Sequence, residues 1–148
     1  MAREHVRILD DQPIEVTALL DVKARHSVLK VTSLKYVLHD NGPWVRFGVD
    51  SGDVVTLQQV RLDQPILHNH EVHMRGGSVR HEPVVALDIC VGNQRLSVPF
   101  TLKIRQNYTP PMILSAAQIT KLGTVDADAK FLREPNCSTD EPAPATSH

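Results

Sequence analysis

One carboxylate, Asp21, stands at the end of an apolar run in the stretch Leu19 to Leu29. A carboxylate withdrawn from water is costly unless it is paired, hydrogen-bonded or protonated. An Asp in that place therefore either caps a turn at the end of a strand or does acid–base chemistry. A second group of chemical interest is His68, His70 and His73. On a strand, alternate residues share a face, so His68 and His70 could approach each other while His73 points away. No third ligand of convincing spacing follows, no HExxH occurs, and the expectation is surface histidines with no metal and no cofactor. Tyr108, Trp44 and Phe47 are too few and too scattered for a base-stacking platform and read as core or rim.

The elements that must position Asp21 read as strands. Residues 5 to 9 and 14 to 21 are short apolar runs separated by Asp10-Asp11-Gln12-Pro13, a turn. Val28 to Val37 is rich in β-branched residues, and Asp40-Asn41-Gly42-Pro43 turns the chain into Trp44 to Val49. Asp50 to Asp53 returns it into Val54 to Leu62. Runs 66 to 74 and 78 to 91 flank Arg75-Gly76-Gly77, a hairpin whose glycines supply positive φ. After Gly92-Asn93, Leu96, Val98, Phe100, Leu102 and Ile104 alternate with polar or small residues, the cleanest period-2 strand in the chain. Thr109-Pro110-Pro111 breaks it. A single short helix is expected within Ile113 to Leu122, with Ser115 as N-cap and Gly123 as the stop. Strands and turns at short intervals imply an all-β sandwich or barrel.

The chain has 148 residues, enough for one core but not for two lobes. A domain over residues 1–132 is expected, followed by a disordered tail over 133–148, where Pro, Ser, Thr, Ala and acids replace apolar residues. Sixteen Lys plus Arg against seventeen Asp plus Glu leave a net charge of −1, so no nucleic-acid or anionic membrane partner is expected. The N-terminus lacks the apolar core of a secretory signal, and no run of eighteen apolar residues occurs. Cys90 and Cys137 lack paired spacing. A reduced, cytoplasmic setting is the default expectation.

The segment from Asp21 resembles the active-site turn of the bacterial retropepsin-like aspartic peptidases that carry the name ATP-dependent zinc protease, whose pattern is Asp-Thr-Gly-Ala-x-x-Ser-x-Leu-His. Asp21, Ala24, Ser27 and Leu29 match; Val22, Lys23 and Lys30 replace the Thr, the Gly and the His. In order along the chain, Arg3-Glu4 resembles the opening of the family's first strand, and Pro43-Trp44-Val45-Arg46-Phe47 its Lys-Trp-Val-Arg-Phe. Gly76-Gly77 with Arg80 resembles its Gly-Gly hairpin, Pro99 to Leu102 its Glu-Leu-Thr-Leu strand, and Met112 to Ala117 its hydrophobic-hydrophobic-Gly turn. The similarity covers about residues 3 to 133.

The resemblance implies a single-lobed, closed retropepsin-like barrel with one short helix. It implies Asp21 as the catalytic residue and Ala24, Ser27, Gly76 and Gly77 as substrate-binding. An aspartic peptidase needs two carboxylates about 3 Å apart sharing one proton. Only Asp21 matches the motif, so activity requires a homodimer with Asp21 on its two-fold axis. The implied substrate is a peptide or a glutamylated protein, and the implied partner an ATP-grasp glutamate ligase. Val22 lacks the Thr hydroxyl that braces two such loops, and Lys23 brings a cation near the axis, favouring ionisation of both Asp residues. Ser115 stands where the second loop has Gly. The reading is a family protein whose catalysis is weak or lost; the alternatives are an active homodimeric peptidase and a non-catalytic protein-interaction module.

Overall fold

The computed structural model describes residues 2–52, 58–105, 110–122 and 135–137. Strands β1 (Ala2–Leu9) and β2 (Ile14–Leu20) form the first hairpin. Period 2 governs both: Val6, Ile8, Ile14, Val16, Ala18 and Leu20 face the core. On the other face the cross-strand pair Arg7 and Glu15 meets at 2.6 Å.

Next come β3 (Ser27–Val31), β4 (Ser33–His39), β5 (Gly42–Asp50) and β6 (Gln59–Pro65). They are followed by β7 (His68–His73), β8 (Val79–Val91), β9 (Gln94–Ile104) and β10 (Met112–Leu114), and then by the helix α1 (Ala116–Leu122). The main sheet has the order β1-β2-β10-β3-β9-β8-β7, and β1 also pairs with β8. That pairing closes six strands into a barrel and leaves β7 outside the ring. A closed ring has no free edges among its members. Its centre is filled by Phe100, Leu29, Leu102, Ile89, Met112 and Leu114, all buried.

β4, β5 and β6 make a separate three-stranded sheet whose Val45, Phe47, Val49 and Leu62 join the same core. The run 28 to 37 is thus two strands in two sheets, not one. The chain changes sheet at Thr32, whose N–H donates to Gly48 O at 2.9 Å. Gly48 is needed there: a Cβ on it would lie 2.6 Å from Thr32 Oγ1. Pro65 is tolerated because β6 is an edge strand. Residues 54–57 of the expected run 54 to 62 lie outside the described residues.

The hairpin at Gly76-Gly77 is as expected, with φ of 89° and 88°. The helix begins directly after the expected N-cap Ser115, and Met112–Leu114 before it is drawn into the barrel as β10. Gly123 lies outside the described residues. Within the stretch expected to be disordered, Pro135–Cys137 instead lie against the barrel: Asn136 N–H donates to Gly92 O at 2.6 Å, and Cys137 is disulfide-bonded to Cys90. This corrects the expectation of unpaired cysteines. The two are 47 positions apart, so local spacing carries no sign of the bond. Among the described residues no helix is long and apolar enough to cross a membrane.

Candidate active site

β10 lies between β2 and β3, parallel to the first and antiparallel to the second. The turn joining β2 to β3 therefore arches over the end of β10, where Asp21 N–H donates to Leu114 O at 3.0 Å. Asp21 is half-buried. Its Oδ1 accepts the Lys23 N–H at 2.9 Å, and Ala24 N–H returns to Asp21 O at 3.1 Å. The carboxylate thus caps its own turn, and among the described residues Oδ2 has no protein partner. Val22, 67% exposed, and Lys23 form the projecting tip.

A second turn, β10 to α1, is locked onto the first. Ser115 N–H donates to Ser27 Oγ at 3.0 Å, and the two buried hydroxyls lie 3.3 Å apart. Ala116 N–H donates to Ala24 O at 3.3 Å. Ser115 occupies the N-cap position through its carbonyl, which accepts from Gln118 and Ile119. Its hydroxyl is turned to Ser27 rather than to the helix. The residue that departs from the expected Gly is therefore built into the turn pair by hydrogen bonds.

Beside the paired turns is a cavity of about 300 Å³ whose lining includes Arg25, His26, Ser27, His68, His70 and Gln118. His68 and His70 share a face of β7, with ring centroids 5.1 Å apart. His26, from the Asp21 turn, brings its ring to 4.5 Å from that of His70. Burial holds the His70 imidazole below its ordinary range, and the neighbouring His26 and His68 add to the effect. Among the described residues no three His, Cys, Asp or Glu side chains are arranged to hold a metal ion. Gln118 Oε1 is buried without a protein donor.

Of the expected substrate-binding residues, Ser27 lines this cavity and Ala24 belongs to the turn beside it. Gly76 and Gly77 sit at the exposed hairpin tip and are not part of its lining. His26, Arg25 and Gln118 were not singled out from sequence. His26 is within the turn motif but at one of its unspecified positions, and only the fold brings it to β7.

The closed barrel, with one strand threaded between the arms of the Asp21 turn and a short helix behind it, defines a retropepsin-like single lobe. Residues 2–136 match the model of the RimB-like family, described as retropepsin-like aspartic endopeptidase RimB, and the chain belongs to that family. Among solved structures it is similar to Lpg0085 of Legionella pneumophila, a protein titled as of unknown function (DUF785). That likeness has a TM-score of 0.69 at 21% identity and covers 88% of this chain and 93% of that one. It is a likeness of fold. No match is found among curated proteins.

Proposed function

We propose that this chain acts as a homodimer of the aspartic-peptidase kind, with Asp21 of each copy at the two-fold axis, binding peptide or glutamylated protein chains with weakened catalysis. The observation that carries it is the Asp21 turn: a carboxylate half-buried at the mouth of a retropepsin-like barrel, held by a backbone N–H and flanked by an exposed Val22 tip. One lobe supplies one carboxylate. Two copies supply the pair, one taking a proton from water while the other gives a proton to the amide carbonyl.

Val22 and Lys23 carry the weakening. Val22 has no hydroxyl to brace the partner turn, and two Lys23 ammonium groups beside the dyad favour two ionised carboxylates over the shared-proton state. Ser115 does not add to this, because its hydroxyl is held by Ser27. The β7–β8 hairpin serves as the flap, its base lying against the Asp21 turn through His26 and His70. An ATP-grasp glutamate ligase fits as partner through the family resemblance.

The active-peptidase reading has one observation in its favour: among the described residues Asp21 Oδ2 has no protein partner, while Oδ1 is oriented by Lys23 N–H. Cleavage of glutamate-rich and general peptides, followed from about pH 3 to 8 where carboxylate dyads titrate, separates the two. Weak turnover that rises in Val22→Thr/Lys23→Gly and vanishes on adding Asp21→Asn supports the weakened site. Strong wild-type turnover abolished by Asp21→Asn supports the active one, and turnover indifferent to Asp21 removes both. As to compartment, disulfides persist mainly in oxidising environments. The Cys90–Cys137 bond therefore argues against the cytoplasmic setting expected from the sequence, and thiol labelling of the protein in intact cells tests it.

A further inference from the structure

A second cavity, of about 570 Å³, shares no lining residue with the one at the Asp21 turn. It lies between β4 and the face of the main sheet turned away from the core. On β3 and β9, Leu29 and Leu102 pair in register and are buried in the core, so the next pair, Lys30 and Lys103, shares the opposite face. Lys103 Nζ meets Glu82 Oε1 at 3.5 Å, and Arg80 Nη2 meets Glu82 Oε2 at 3.2 Å. Glu82 is buried, with both carboxylate oxygens engaged. It fixes two cations at the cavity while neutralising only one.

Among the described lining residues, Lys30, Arg80 and Lys103 bring three cationic side chains to this concavity and Glu82 one carboxylate, on a chain whose net charge is −1. Burial lowers the affinity of Lys30 for its proton, and the nearby Arg105 and Lys103 lower it further. Like charges gathered in a recess raise its potential, and an entering anion relieves their repulsion. The remaining described wall is His81 and, for the rest, apolar or aromatic: Leu34 and Tyr36 of β4, Pro83, Leu102 and Ile104. A concave site with apolar walls and a few convergent charged groups is the usual layout for a small organic ligand.

We propose that this pocket binds a small organic oxyanion, a carboxylate or a phosphate ester, with its charged end among Lys30, Lys103 and Arg80 and its apolar body against Leu34 and Tyr36. Neither Asp21 chemistry nor dimerisation enters the proposal. Ammonium donors accept either oxyanion, so the two sources are separated by experiment.

The test is calorimetric titration of the full chain, with its disulfide intact, using phenylacetate, phenyl phosphate and the neutral benzyl alcohol. Lys30→Gln leaves both Glu82 ion pairs in place, and Lys35→Gln on β4, which does not line the pocket, removes the same charge as a control. At least one anion should bind in preference to the alcohol. Loss of one charge-assisted contact should weaken it about tenfold or more in Lys30→Gln, with little change in Lys35→Gln. Phenylacetate alone assigns the pocket to carboxylates, and phenyl phosphate alone to phosphate esters. Binding of neither anion, equal binding of benzyl alcohol, or equal weakening by the two variants would overturn the proposal.

Discussion

Two turns in this molecule hold distant segments together by different means. At the β8–β9 turn, a disulfide joins Cys90 to Cys137, Asn136 bonds Gly92, and Arg7 reaches Pro135 O at 3.4 Å. At the Asp21 turn the ties are neutral hydrogen bonds, Ser115 to Ser27 and Ala116 to Ala24, each worth about 1 kcal/mol net. The first region only anchors, and a covalent bond suits it. The second carries a carboxylate beside a cavity lined by His26, His68 and His70 and, in the proposed dimer, faces a second copy. Directed but individually weak bonds fix its geometry without covering its chemistry.

The largest expected effect falls on the covalent side. Opening the 47-residue separation by reduction or by Cys90→Ser/Cys137→Ser should cost about 2–4 kcal/mol, seen as a lower urea midpoint. The Asp21 turn should keep its amide protection in hydrogen exchange. An unchanged midpoint would show that the tie adds nothing to the fold.

On the hydrogen-bonded side the asymmetry of the serine pair is testable. Ser27→Ala leaves the buried Ser115 N–H without its acceptor and should cost about 1–3 kcal/mol. Ser115→Ala takes away only the acceptor of the longer, 3.3 Å bond from the rotatable Ser27 hydroxyl and should cost less. The reverse order in chemical denaturation would mean that the Ser115 side chain, not its backbone, is what the turn depends on.

The smallest effect concerns pH. His70 has a folded-state affinity for protons below that of the unfolded chain, so between the folded value and the unfolded value of about 6.5 the unfolded state binds more protons. Stability should therefore be full above that range and fall as pH drops through it. Thermal melts should show the decline in wild type and a flatter profile in His70→Gln. A decline of the same size in that variant would place the titration elsewhere.

Much of the barrel was legible as alternation. Val98, Phe100 and Leu102 on β9, and Val16 and Ala18 on β2, alternate because one face of each strand meets the core. The split at Thr32 was not legible, since β-branched residues run through it and a change of sheet leaves no periodic mark. Met112–Leu114 gave no sign of being a strand, because three apolar residues carry too little period to tell strand from helix. Asp21 was found because it sits in a contiguous motif. His26 against His70, and Lys30 beside Lys103, are products of strand placement, and neither pair has a spacing that announces it.

In the proposed dimer, two copies meet with their Asp21 side chains at one axis. Among the described residues no cysteine is free, so Asp21→Cys introduces a single new thiol. Under mild oxidation at micromolar protein, that variant should form a disulfide-linked dimer, because side chains facing each other across a two-fold axis can meet the short Cβ separation such a bond needs. Asp40→Cys, equally new and exposed on the β4–β5 turn, should not. Rapid cross-linking of Asp21→Cys alone is the result this account predicts; a chain that stays monomeric, or that links no faster through residue 21 than through residue 40, would contradict it.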